Sequence, residues 1–349
     1  MTDARDRTPA TRRTARALPT QRADSIQAET VNWLWEGWLP RGKVVTLEGN
    51  PGLGKSTLTI ALTASLTTAR QLPDGTMPTK RERVLLVSSE DGAADTIRPR
   101  LDAAKADLAR VQLITEVPDR SGIPRLMELP QDLESLESTI VKKHAGLVII
   151  DPLSAHLGER LDPNSDKDVR RMLGPFALLA QRTGACMLLV RHLNKSGSDQ
   201  IVQRSSGSVA WLAAARASLL VAEMPSDPKK GVFAVAKSNL AEVPPPLAFK
   251  LVSEGTVAKV RWLGPTNVRV SELLSSQPVA VRDQATLFLT DRLSGGPVRQ
   301  KTLQAEGEER NLSLRSLERA KTDLGVTSYS KPPAPGKRGR GVSMWKLPE

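Results

Sequence analysis

The chain divides by the period of its apolar positions. From Val31 to about residue 264, short runs of Val, Leu and Ile alternate with stretches whose apolar residues recur every three or four positions. Runs of the first kind predict buried strands and those of the second amphipathic helices, so the alternation predicts a mostly parallel sheet covered on both faces. The predicted strands are 43–48, 84–88, 111–114, 146–150, 185–190, 217–222 and 231–237. Two further runs, 247–253 and 256–262, are separated only by Glu254-Gly255, which predicts a closing antiparallel hairpin. Leu58, Leu62, Ser65, Leu66 and Ala69 place a helix soon after the first strand.

The pattern changes after Leu263-Gly264-Pro265-Thr266-Asn267. Residues 29–264 read as one domain, 265–278 as a linker, and 279–349 as a smaller second domain. In the latter, Ala285, Phe288, Leu289 and Leu293 form one helical stripe, Gly295-Gly296-Pro297 breaks it, and Val298 to Gly307 predicts a second helix. Leu314, Leu317, Ala320 and Leu324 form a third stripe. Val326-Thr327-Ser328-Tyr329, a basic turn from Lys331 to Gly341 and the run Val342 to Leu347 then predict a hairpin. Three helices and a hairpin predict a winged helix-turn-helix. Residues 1–28 carry no periodic apolar pattern and read as a disordered basic arm.

Composition narrows the class. No run of 18 apolar residues occurs, which predicts no membrane span, and the opening segment has no apolar stretch, so a cytoplasmic protein is expected. A single cysteine, Cys186, lies inside an apolar run and reads as a core residue, which leaves no disulfide framework or cysteine-rich metal site. The net charge of +12 is concentrated at the ends of the chain. Such a surplus either serves solubility or attracts polyanions, nucleic acid first among them.

The chemistry-bearing stretch is Gly49-Asn50-Pro51-Gly52-Leu53-Gly54-Lys55-Ser56-Thr57, which fills every fixed position of G-x-x-x-x-G-K-[ST] between a predicted strand and a predicted helix. Backbone N–H groups of such a loop cradle phosphates, Lys55 reaches the β and γ phosphates, and the Ser56 hydroxyl holds Mg²⁺, so ATP and Mg²⁺ are the expected ligands. Asp151, closing the strand Leu147-Val148-Ile149-Ile150, is the expected second metal-directed group. Glu90 follows the strand 84–88, where it either polarises the attacking water or is an ordinary solvated carboxylate. His192 follows a third core strand and either senses the γ-phosphate or is structural. Trp33, Trp35 and Trp38 read chiefly as packing, with stacking on adenine as the alternative.

These residues, with Thr96-Ile97-Arg98-Pro99-Arg100-Leu101 and Arg191-His192-Leu193-Asn194-Lys195-Ser196-Gly197, resemble the RecA-like hexameric ATPases of the AAA_25 type. The plasmid replicative helicase RepA is one of that family, and the resemblance spans residues 31–262. It implies an α/β RecA-like core, a hexameric ring, Glu90 as catalytic base, His192 as γ-phosphate sensor and a basic pair reaching in from a neighbouring subunit. That pair corresponds to Lys237-Ser238-Asn239, where Lys237 fits and Asn239 stands in place of the arginine; Arg204 and Arg216 are the candidate substitutes. The resemblance also turns the loops 157–167 and 195–207 toward the channel, where Lys195 and Arg204 contact single-stranded DNA or are simply solvated. In the last domain Arg315, Ser316, Arg319 and Thr322 lie opposite the apolar stripe, and Lys331, Lys337, Arg338 and Arg340 form a basic wing. This arrangement suits duplex DNA, or a protein partner. The reading is therefore a DNA helicase or translocase of a plasmid, phage or mobile element. A filament-forming recombination or repair ATPase and a nucleotide-switched DNA-binding regulator are the alternatives.

Overall fold

The computed structural model describes residues 20–158, 161, 165–192, 211, 215–255, 257–275, 281–310, 312–331 and 342–347. Met1–Asn32 and Trp33–Glu349 are separate compact units. In the first, the described residues hold a single helical turn, Ala23–Ser25, and are exposed.

The second unit is built on a nine-stranded sheet. Its strands are β1 (Val44–Gly49), β2 (Val84–Ser88), β3 (Val111–Ile114), β4 (Leu147–Asp151), β5 (Cys186–His192), β6 (Ala217–Met224), β7 (Asp227–Ser238), β8 (Leu247–Glu254) and β9 (Val257–Pro265), in the order β9-β8-β7-β6-β1-β5-β4-β2-β3. From β3 to β6 every neighbouring pair is parallel. Beyond β6 the sheet turns antiparallel. This antiparallel part is larger than the terminal hairpin expected from sequence, because only Pro225-Ser226 joins β6 to β7 and two residues cannot carry a crossover helix.

Successive side chains of a strand point to opposite faces, and both faces here are covered. On one face Val45 and Leu47 of β1 pack with Leu58, Leu62 and Leu66 of α1 (Lys55–Thr68) and Leu101 of α2 (Arg98–Ala103). On the other, Val44 and Leu189 meet Ile140 of α3 (Leu133–Lys143) and Met172 and Phe176 of α4 (Asp166–Thr183). Cys186 is fully buried. Trp35 and Trp38 stack at 4.6 Å, and Trp38 stacks on Phe233 of β7 at 4.8 Å, so two of the three clustered tryptophans are spent on packing. The stretch read as a linker carries a short helix, α5 (Val270–Ser275), whose Leu273 is fully buried against Leu220, Val232 and Ala234.

The C-terminal segment folds as α6 (Val281–Ser294), β10 (Val298–Arg299), α7 (Gln300–Glu309), α8 (Leu314–Asp323), β11 (Thr327–Lys331) and β12 (Val342–Lys346). The three strands pair in the order β10-β12-β11 around a core that includes Phe288, Leu289, Leu303, Leu317 and Trp345. Leu314 does not belong to that core, being 59% exposed, whereas Leu312 is buried. The cause is the start of α8: Ser313 caps it by accepting from the Ser316 N–H at 3.2 Å. Leu312, just outside the cap, packs with Leu317 as a hydrophobic staple, and Leu314 is left on the first, outward turn.

Candidate nucleotide site

The loop between β1 and α1 lies in the middle of the sheet, at the carboxyl ends of the parallel strands, where open α/β sheets bind ligands. Gly49 ends β1 so close to β6 that a Cβ on it would come within 2.5 Å of the Val221 carbonyl oxygen. Gly54 caps α1 with φ +79°, a conformation that favours glycine. The loop thus delivers the N-terminus of a 14-residue helix, with its free N–H groups, to the position of an anion.

Lys55, Ser56 and Asp151 meet there. Lys55 is buried and its amine donates to the Gly49 carbonyl at 2.8 Å and the Asn50 carbonyl at 2.9 Å. Burial pulls its pKa down to about 8, against the opposing charges of Asp151 and Glu90. Asp151, paired in the sheet with Ser88, is pushed up to about 6 by burial, although a hydrogen bond with Ser56 and the Lys55 charge favour its ionised form. Asp91 and Glu90 raise it further. Glu90 itself is exposed, two residues beyond the end of β2, and close enough to both Lys55 and Asp151 to act on their titration. A hydroxyl and a carboxylate backed by two more acids form a hard-oxygen set. They fit Mg²⁺, which takes few protein ligands and completes its shell with water and phosphate.

One contact of the cluster is not readable from sequence, although Arg100 lies in a stretch that carries the family resemblance. Arg100, on α2, donates to Asp91 at 2.6 Å and lines a narrow cleft with Ser56 and Asp151. A guanidinium nine residues from its carboxylate follows no local spacing rule, so only the fold brings the two together. A second pair was equally invisible: Glu48 at the end of β1 and Arg191 at the end of β5, 3.1 Å apart.

This architecture agrees with a direct comparison of families: the AAA_25 model, described as an AAA domain, matches residues 9–198, more than half of the chain. The chain belongs to the AAA_25 family. As a RecA-like AAA_25 ATPase it also has curated relatives. It is 26% identical over 272 residues to the DNA repair protein RadA of Halalkalibacterium halodurans, covering 73% of this chain and 54% of that protein. The RadA proteins of Brucella abortus and Bacillus subtilis are 27% and 26% identical over 46% of this chain and 30% of their own lengths. The chain thus spans about half, or less, of the length of the relatives it matches.

The remaining candidate residues of this AAA_25 chain are dispersed. His192 ends β5 with its backbone paired to Gly49, and its side chain lies outside the described residues. Lys237 pairs in the sheet with Ser218, and its amine donates to the Ala215 carbonyl at 3.4 Å. The Asn239 N–H donates to the Arg216 carbonyl, and burial together with the charge of Arg216 lowers the pKa of Lys237. Ala215, Arg216 and Asn239 line a cavity of about 460 Å³ with Lys43 and Val44. Ala215, Arg216 and Asn239 therefore sit at the starting end of β1, about 17 Å along the strand from Gly49, while the backbone of Lys237 is level with Thr46, about 10 Å from it, with its amine turned toward Ala215. Arg315 and Arg319 are exposed on α8. Lys195, Arg204, Lys337, Arg338 and Arg340 lie outside the described residues. Among the described residues no helix is long and apolar enough to cross a membrane.

Proposed function

We propose that this chain is an ATP-hydrolysing, DNA-dependent motor of the helicase or translocase type that works as an assembly of identical subunits, with a hexameric ring as the form the family resemblance implies. The observation that carries the reading is the separation of Lys237, Arg216 and Asn239 from the phosphate loop of the same chain. Cations at the opposite end of the sheet assist hydrolysis only if a second copy presents its nucleotide to them, which calls for a head-to-tail assembly. DNA as the partner is supported by the RadA relatives, named as DNA repair proteins, by the net charge of +12, and by the exposed Arg315 and Arg319 of a segment whose three helices and three strands suit a winged helix.

In this reading Lys55 leaves the loop carbonyls for the β and γ phosphates, whose negative charge favours its protonated form against the burial that lowers its pKa to about 8. Ser56 and Asp151 would hold Mg²⁺, which when bound would neutralise phosphate charge. Glu90 accepts a proton from the water that attacks the γ-phosphorus as the bond to the bridging oxygen of ADP breaks. His192 ends the strand beside Gly49, where it senses departure of the γ-phosphate. A filament-forming repair ATPase is the second reading, favoured by the names of the RadA relatives. Electron microscopy of the protein with ATP and single-stranded DNA separates the two: closed rings support the motor, and helical filaments support the repair ATPase.

A further inference from the structure

A buried pair of charges lies directly beneath the phosphate loop. Glu48 is the residue before Gly49 on β1, and Arg191 is its direct partner in register on β5, one residue before His192. The Arg191 guanidinium donates to the Glu48 carboxylate at 3.1 Å, with side chains 10% and 4% exposed. Its other face lies over the ring of Trp211, 4.0 Å from the centroid, and Trp211 is fully buried. Thr46, two residues earlier on the same face of β1, is hydrogen-bonded to Ser218 of β6 at 3.0 Å. The end of the sheet below the nucleotide site is thus crossed by a polar layer inside an apolar interior.

Stability does not explain it, because replacing a buried ion pair by apolar groups of similar volume is often neutral or stabilising. What the pair supplies is geometry. Arg191, itself on the strand end that carries His192, touches two things at once: Glu48, the residue that leads into the phosphate loop, and Trp211, close before β6. The connection between β5 and β6 therefore has its two ends tied to one guanidinium, and that guanidinium is tied to β1. An aliphatic pair would fill the same space but leave these elements free to slide, whereas a planar, doubly held guanidinium does not.

We propose that Arg191 is a positioning residue for hydrolysis: by holding Glu48 and Trp211 together it fixes the tip of β5 against the phosphate loop. This rests on the chain being an ATPase. Two variants test it in the full-length protein: Arg191→Lys, which keeps the charge and loses the planar contact with Trp211, and the double change of Glu48→Gln with Arg191→Met, which removes both charges at similar volume. For each, the melting temperature, the Kd of a fluorescent ATP analogue and kcat are measured. The expected result is a melting temperature and Kd close to those of the parent, with kcat reduced about tenfold or more, as misplacement of catalytic groups by an ångström or so produces. Parent-like kcat in either variant overturns the proposal. So does loss of melting temperature, Kd and kcat together, or failure of both variants to fold, since the pair would then be holding the sheet and not the strand tip. An unmutated protein that hydrolyses no ATP fails the ATPase reading itself, an outcome distinct from these.

Discussion

At the scale of single residues, the site is defined by charges held at unfavourable protonation. Asp151 titrates near 6 because burial outweighs its bond to Ser56 and the nearby Lys55 charge. Only its ionised form ligates a metal, so affinity for Mg²⁺ with ATP is expected to fall as pH drops through about 6, measured by titration calorimetry from pH 7.5 to 5. A flat profile would place the metal-directed carboxylate elsewhere. The same shift acts on stability in the opposite sense. The folded state holds the Asp151 proton more tightly than the unfolded state does, so its contribution is favourable at low pH and is lost as pH rises from about 4 to about 6. Lys55, lowered to about 8, adds stability only as pH rises from about 8 towards its ordinary value. Lys55→Ala is expected to abolish hydrolysis, whereas Glu90→Gln should retain nucleotide with kcat down by about 10² or more, the share general-base catalysis commonly supplies. Normal turnover by the Glu90 variant would remove that residue from the mechanism.

At the scale of elements, α8 is the one whose exposed face carries a functional claim. If Arg315 and Arg319 contact phosphates of a duplex, changing both to Ala should weaken duplex binding at low salt. The slope of log K against log salt should also fall by about 2, with basal hydrolysis untouched. Equal slopes would leave α8 a protein-contact or purely structural helix. The elements themselves were legible to different degrees. Strands β1, β2, β4, β5 and β6 announce themselves because both faces are buried, so their sequences are mostly apolar runs, whereas the edge strand β3 (Val111–Ile114) is only partly buried. The phosphate loop was legible because its glycines answer local demands, a close approach at Gly49 and a left-handed cap at Gly54. Leu314 was misread because apolar period alone does not say where a helix starts, and the Ser313 cap moved the core contact to Leu312. The Glu48–Arg191 pair could not be read, since it joins strands that only the sheet order makes neighbours, and the Asp91–Arg100 contact depends on how the chain turns from β2 into α2.

At the scale of the whole molecule, the two ends of the parallel sheet differ in charge. The carboxyl ends of the strands gather Glu90, Asp91 and Asp151 around the phosphate loop, while the other end presents Lys43, Arg216 and Lys237. Copies stacked head to tail would bring the second set to the nucleotide of the first. Asn239→Arg is then expected to accelerate hydrolysis, because a guanidinium stabilises charge on the transferred phosphoryl group as an amide does not. An unchanged rate would separate Asn239 from the reaction. Activity should also be recovered on mixing Lys55→Ala with Lys237→Ala, each inactive alone, through the sites that pair an intact loop with an intact neighbour. The central claim, hydrolysis coupled to DNA, is tested most directly by steady-state ATP turnover at low salt with no DNA, with duplex and with single-stranded DNA. Marked stimulation by single strands is expected; a slow rate indifferent to all three would contradict a DNA-coupled motor and leave a nucleotide-switched regulator as the better description.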